Sequence, residues 1–224
     1  LIFDEVFTGF RLAPGGAQAF FGVHADLVVY GKTLGGGLPV GVVCGRADLM
    51  KRFRDDRPAD LCFARGTFNG LPIVMGTMNA FLRALDTDAV RATYTGLEAR
   101  WDARRTRLND ALGAISAPLR LDGLISVWTT RVERPSRFNW MFRFYLEDAG
   151  LMVPWTGTGR LVFPHSLDDA DFDILVERFV GAAQGMLADG WWHPVEGLTH
   201  RRIARQWVWE TARAALGRRP WSPA

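Results

Sequence analysis

Three short apolar runs, each stopped by an acid or a glycine, constrain this chain more than any other feature. They are Leu1-Ile2-Phe3 before Asp4-Glu5, Leu27-Val28-Val29-Tyr30 before Gly31-Lys32-Thr33, and Val40 to Cys44 after Pro39. Runs of this length, rich in β-branched residues and bounded by glycine, fit strands covered on both faces. Residues 1–6 therefore read as a buried strand, residues 10–24 as a loop around Pro14-Gly15-Gly16, and Cys44 as a small core residue. Helices are expected at Arg46–Phe53, at Leu71–Leu85 with Pro72 in the first turn, and over Asp88–Leu112. In that last segment Leu97, Trp101, Leu108 and Leu112 share one side, while Arg100, Arg104, Arg105 and Arg107 are solvated.

Further on, strands are expected at Leu119–Leu121, Ile125–Thr130 and Leu161–Phe163, and helices at Phe138–Ala149 and Asp168–Leu187. The order gives an α/β protein in two regions. Residues 1–87 form part of a larger domain, residues 88–114 a connecting helix, residues 115–190 a smaller α/β domain, and residues 191–224 an extension.

The extension decides how the charge is read. The chain carries a net charge of +3. Six arginines beyond residue 190 (Arg201, Arg202, Arg205, Arg213, Arg218, Arg219) against Glu196 and Glu210 give +4, so the remainder is near −1. The body is not a nucleic-acid-binding surface. From Thr199 to Leu216, Ile203, Trp207, Thr211 and Ala214 recur at helical spacing. The first reading is a helix docked on its own domain, and the second a partner-binding or membrane-surface element. No apolar run approaches the roughly 18 residues of a membrane span, and no signal-peptide pattern is present. Cys44 and Cys62 have no metal or disulfide motif. A cytoplasmic location is expected, and no membrane partner. Because Leu1 opens inside an apolar strand, an upstream part is expected to be missing. The chain alone should then expose sheet interior and retain a cofactor weakly.

The chemistry gathers around Asp4 and Lys32. Gly31-Lys32-Thr33 could end a phosphate-binding loop, but that loop needs a glycine where Asp26 stands, and flexible residues where Leu27–Tyr30 are strand-like. The same residues suit pyridoxal 5'-phosphate (PLP) better. Its ring nitrogen needs a carboxylate to hold a proton, and its aldehyde needs a lysine that can form an imine. Asp4 at a strand end and Lys32 before Gly35-Gly36-Gly37 supply both, and the glycines leave room for a ring.

Leu1–Val6 with Thr8-Gly9-Phe10-Arg11 resembles the cofactor strand of class III (subgroup II) aminotransferases, which are fold-type I PLP enzymes. Gly15-Gly16-Ala17-Gln18 and Asp26–Gly41 resemble the glutamate-1-semialdehyde aminomutase branch, and Gly66-Thr67-Phe68-Asn69-Gly70 the family's next motif. The resemblance implies the fold-type I architecture: part of the large domain, then the C-terminal small domain. It implies that Asp4 pairs with the pyridine nitrogen, that Val6 packs on the ring, and that Lys32 carries the cofactor as a Schiff base. It also implies that Thr67 binds the phosphate of a neighbouring subunit, which makes the protein a homodimer with shared active sites. Glu5 would be structural, and Gln18 either structural or a loop-surface residue. Arg160, in Gly159–Pro164, resembles the arginine that many class III transaminases place on a substrate carboxylate; the other reading is a surface arginine at a strand edge. His24 and His165 match no catalytic motif and read as structural. The implied reaction is amino transfer between a small-molecule amine and a carbonyl acceptor. The alternatives are an intramolecular 2,1-aminomutase and a catalytically incomplete fragment or interaction module.

Overall fold

The computed structural model describes residues 1–62, 66–153 and 159–217. They divide into two compact units, Leu1–Leu97 and Glu98–Ala224.

The first unit is built on a three-stranded sheet in the order β1 (Ile2–Asp4), β2 (Leu27–Gly31), β3 (Gly41–Gly45). Strands β1 and β2 are parallel, with Ile2 opposite Leu27 and Asp4 opposite Val29. The amide of Glu5 carries the ladder one step further by donating to the Val29 carbonyl at 2.8 Å. Strand β3 returns antiparallel, from Gly31 opposite Gly41 to Leu27 opposite Gly45. The expected strands exist, but they are not covered on both faces. Ile2 is 67% exposed and Val43 54%, and only Val28 and Gly31 are buried among the residues of β2. Cys44 is likewise exposed, so it is not a core residue. Alternation and β-branching reveal that a segment is extended; they do not say whether a neighbouring layer is there to cover it.

Helix α1 (Gly16–Phe21) replaces the expected loop. Six residues without a capping side chain of their own give a weak helical signal, and the helix is held from outside by Glu5. The buried Glu5 carboxylate accepts hydrogen bonds from the amides of Ala17 (2.8 Å) and Gln18 (3.0 Å) and from the Thr8 hydroxyl (2.7 Å). Gly16, at φ 70°, is the residue that lets this happen: a Cβ there would lie 2.6 Å from the Glu5 carboxylate. No helix forms over Arg46–Phe53. Arg46 and Arg54 instead pair with Asp48 and Asp56 two residues on, a spacing that belongs to turns. Helix α2 (Pro72–Leu85) forms as expected, and a 3₁₀ turn over Lys32–Gly35 follows β2. Helix α3 (Asp88–Thr93) starts at Thr87, whose hydroxyl accepts from the Val90 amide. The helix expected to run unbroken to Leu112 ends here, because the chain turns through Gly96 at φ 63°.

The second unit opens with α4 (Leu97–Ala114), on which Trp101, Leu108 and Leu112 are buried on one side as expected. Beside it lies an antiparallel sheet in the order β4 (Leu119–Leu124), β5 (Val127–Val132), β6 (Arg160–Val162). Ile125 and Ser126 are the tip of the β4–β5 hairpin rather than the start of a strand, and both are buried. Trp101, Trp128 and Phe163 meet at centroid separations of 4.9–5.7 Å, with Phe172 6.2 Å from Trp128. Arg104 is not solvated. Its guanidinium lies over the rings of Trp101 and Phe172, donates to the Leu167 carbonyl at 3.0 Å, and pairs with Asp169 at 2.7 Å.

Helix α5 (Phe142–Asp148) and helix α6 (Asp169–Ala188) pack together through Phe142 and Phe179, whose ring centroids are 5.3 Å apart. The Asp168 carboxylate caps α6 by accepting from the Asp171 amide at 2.8 Å. Helix α7 (His200–Ala215), capped by the Thr199 hydroxyl, forms over the expected residues and is partly covered along one face. It buries no residue. Its half-buried positions, Ile203, Gln206, Glu210 and Arg213, form a mainly polar stripe, while Trp207 and Trp209 are exposed. Arg218, Arg219 and Trp221 lie outside the described residues. Among the described residues no helix is long and apolar enough to cross a membrane.

Candidate active site

Parallel pairing of β1 and β2 places both strands' C-terminal ends side by side, which in open α/β sheets is where ligands are received. Asp4 closes β1 and Lys32 follows β2, so residues 28 apart in sequence come to one end of the same strand pair. Both side chains are exposed. One Asp4 oxygen accepts the Val6 amide at 3.0 Å, which fixes the direction of the carboxylate. Val6 lies against Gly31: a Cβ on that glycine would stand 3.4 Å from one Val6 methyl and 3.6 Å from the other.

Lys32 sits in the left-handed region at φ 45°, where a side chain is strained. Outliers of this kind collect at functional positions. Its ammonium lies 3.8 Å from the centroid of the Phe7 ring. Sequence reasoning misses Phe7, whose only signal is that of an aromatic residue three positions after the end of β1. The turn that presents it is tied on both sides, by Gly9 N–H to the Glu5 carbonyl and by the Thr8 hydroxyl to the Glu5 carboxylate.

Gln18 faces inward as a brace. Its amide nitrogen donates to the Tyr30 hydroxyl at 3.2 Å, and its oxygen accepts from the Ala25 amide at 3.0 Å. Burial pushes the Tyr30 phenol above its ordinary pKa, against the opposing pull of the Gln18 hydrogen bond. Thr67 is exposed in the turn that leads into α2, and among the described residues no hydrogen bond joins it to Asp4 or Lys32. Arg160 belongs to the second unit. It begins β6 opposite Thr129 and lines a cleft of about 240 Å³ with Arg143, Trp140, Thr130 and Leu146.

The fold has close counterparts among solved structures. An ω-transaminase from Sphaerobacter thermophilus superposes with a TM-score of 0.68 at 27% identity, over 82% of this chain and 44% of that one. A β-phenylalanine aminotransferase from Variovorax paradoxus gives 0.67 at 29% identity, over 84% and 45%. A transaminase solved with PLP bound shares the fold at 0.70 and 24% identity, over 85% and 45%. The model of the class III aminotransferases matches residues 1–183, and the chain belongs to that family. Curated relatives include glutamate-1-semialdehyde 2,1-aminomutases. That of Methanothermobacter thermautotrophicus is 41% identical over 128 residues, 57% of this chain and 29% of the relative. That of Syntrophobacter fumaroxidans is 46% identical over 119 residues, 53% and 26% respectively. The chain thus spans under a third of the length of these relatives and under half of the solved structures.

Proposed function

We propose that this chain supplies the lysine-bearing part of a PLP-dependent aminotransferase site, with Lys32 as the cofactor lysine and Asp4 as the partner of the ring nitrogen. The observation that carries the reading is the β1–β2 register, which sets an aspartate and a lysine at one end of a parallel pair beside a side-chain-free Gly31. The donor set fits: an exposed carboxylate held in direction by the Val6 amide, an exposed amine, and an apolar surface on Val6. When bound, PLP supplies an electron sink that stabilises negative charge at the substrate's Cα. Asp4 keeps the proton on the ring nitrogen, because a neighbouring negative charge favours the cationic form. Lys32 Nζ would hold the cofactor through its aldehyde carbon and, as a free amine, would move a proton at the substrate's Cα. Thr67 would contact the phosphate of a neighbouring subunit in a homodimer, and Arg160 a carboxylate of the amine or carbonyl substrate.

The test uses the chain's only two lysines, Lys32 and Lys51. Borohydride reduction at near-equimolar PLP, followed by peptide mapping, is expected to label Lys32 and not Lys51, which is paired with Asp55 at 2.5 Å. Label on Lys51 alone would refute the assignment. The identity to aminomutase relatives supports a second reading, an intramolecular 2,1-transfer. Absorbance changes in single turnover, with separate amine donors against an amino-aldehyde, separate the two.

A further inference from the structure

We propose that the outward face of α7 docks on an anionic lipid bilayer, with the helix lying in the plane of the headgroups. The class III family model ends at residue 183, so α7 stands outside the part of the chain that carries the cofactor residues. The proposal is independent of the Lys32 assignment.

Successive residues of a helix turn by about 100°, which sorts α7 into three strips. The half-buried strip of Ile203, Gln206, Glu210 and Arg213 is mainly polar. It contains the only acid of the helix, Glu210, which accepts from the Gln206 amide at 2.7 Å. The second strip is apolar and uncharged, with Ala204, Trp207, Val208, Thr211 and Ala215. Trp207 is 66% exposed and Val208 60%, and the Thr211 hydroxyl is spent on the Trp207 carbonyl at 2.9 Å. The third strip carries Arg201, Arg202 and Arg205, all exposed. Trp209 belongs to this side, with the Arg213 guanidinium 4.4 Å from its ring centroid. A helix docked for stability turns its apolar strip inward. Here the better-covered strip is the polar one, and the apolar strip is left outside beside arginines.

The occupant of that face must offer an apolar layer next to negative charge. Four arginines against one glutamate give α7 a net charge of +3. A second copy does not fit, because two such faces would set arginines against arginines with no acid between them. The alanines also leave the strip shallow, so a rigid protein groove would gain little from it, whereas lipid chains close around any shape. A charged helix with an apolar strip and an indole is the pattern of helices that lie in the interface. Its 16 residues span about 24 Å, and it is not long and apolar enough to cross a membrane. For this helix the expectation of no membrane partner is thus replaced by peripheral contact.

The experiment is co-sedimentation of the whole chain with phosphatidylcholine vesicles, with and without phosphatidylserine. Binding is expected only with phosphatidylserine, and should weaken as salt shortens the reach of the arginines. Arg201→Gln combined with Arg205→Gln should weaken it about tenfold or more. Bromine on the acyl chains should quench part of the tryptophan emission. That quenching should disappear in Trp207→Phe and persist in Trp209→Phe. If the arginine variant is poorly folded by circular dichroism, the two Trp→Phe proteins still decide the matter. Absence of binding to phosphatidylserine vesicles at low salt overturns the proposal. So does binding that the folded arginine variant leaves unchanged, or quenching that survives in Trp207→Phe. Retention on heparin or RNA without vesicle binding overturns it too, and gives the face to a soluble polyanion instead.

Discussion

The two units each carry a three-stranded sheet, yet they use it in opposite ways. The sheet of residues 119–162 packs one face into a core, where Leu119, Leu121 and Trp128 are all below 5% exposed and Trp101, Leu108, Leu112, Phe172 and Phe179 join them, while Arg120, Asp122, Thr129 and Arg131 face outward. The sheet of residues 2–45 is half bare, and it bears Asp4 and Lys32. What orders the first unit is a polar network around one buried carboxylate, whereas the second is ordered by aromatic packing.

The sharpest way to break that contrast is Trp128→Ala. It removes a fully buried indole from contact with three other rings, and should cost about 3–5 kcal/mol in urea unfolding followed by circular dichroism. Glu5→Gln is the matching test in the first unit. It replaces one of two acceptor oxygens by an NH₂, which meets the Gln18 amide in one orientation and the Ala17 amide with the Thr8 hydroxyl in the other, and should cost about 1–3 kcal/mol. Faster hydrogen exchange at the Ala17 and Gln18 amides would locate the loss. If Glu5→Gln proved the costlier of the two, the division between polar and apolar order would be wrong.

The smallest effect is electrostatic and belongs to the second unit. Arg104, through its hydrogen bond and its charge, holds the Asp169 carboxyl below the ordinary carboxylate pKa. The folded value is depressed, so the stabilisation is present above the unfolded pKa and is lost as pH falls through the folded one. Asp169→Asn should therefore lower stability slightly at pH 7 and flatten the acid-side loss. Asp169 is 88% exposed, and solvent screening keeps the difference small. Unfolding midpoints at pH 7 and pH 3 would show it, and an unchanged pH slope would mean that the pair does not report on folding.

The sequence discloses those parts that depend on local chemistry. Gly150 at φ 80°, Asp168 before α6 and Thr199 before α7 all mark helix ends in the sequence. The placement of Asp4 and Lys32 at one end of a strand pair is legible because a charged residue closing an apolar run marks a strand end. Features that depend on distant partners are hidden. Helix α1 needs Glu5, twelve residues before Ala17, and the burial of Arg104 needs Asp169, 65 residues further on. The contact between Phe7 and Lys32 is hidden for the same reason, since the lysine lies beyond another strand. The exposed face of α7 cannot be told from a docked one, because both show the same periodicity.

Seen as chain entropy, the Glu5 network is what makes the parallel pair affordable. Strands β4 and β5 are joined by two residues, but β1 reaches β2 only after the long excursion from Glu5 to Asp26. Closing an open loop costs more with each doubling of its length, by about 0.6 kcal/mol. Glu5 divides that excursion by bonding to Ala17 and Gln18, and Gln18 divides the remainder by bonding to Ala25, seven residues on. Two short closures stand in for one long one. Asp4 is thereby delivered to the end of β2 along a route whose disorder has already been given up in stages.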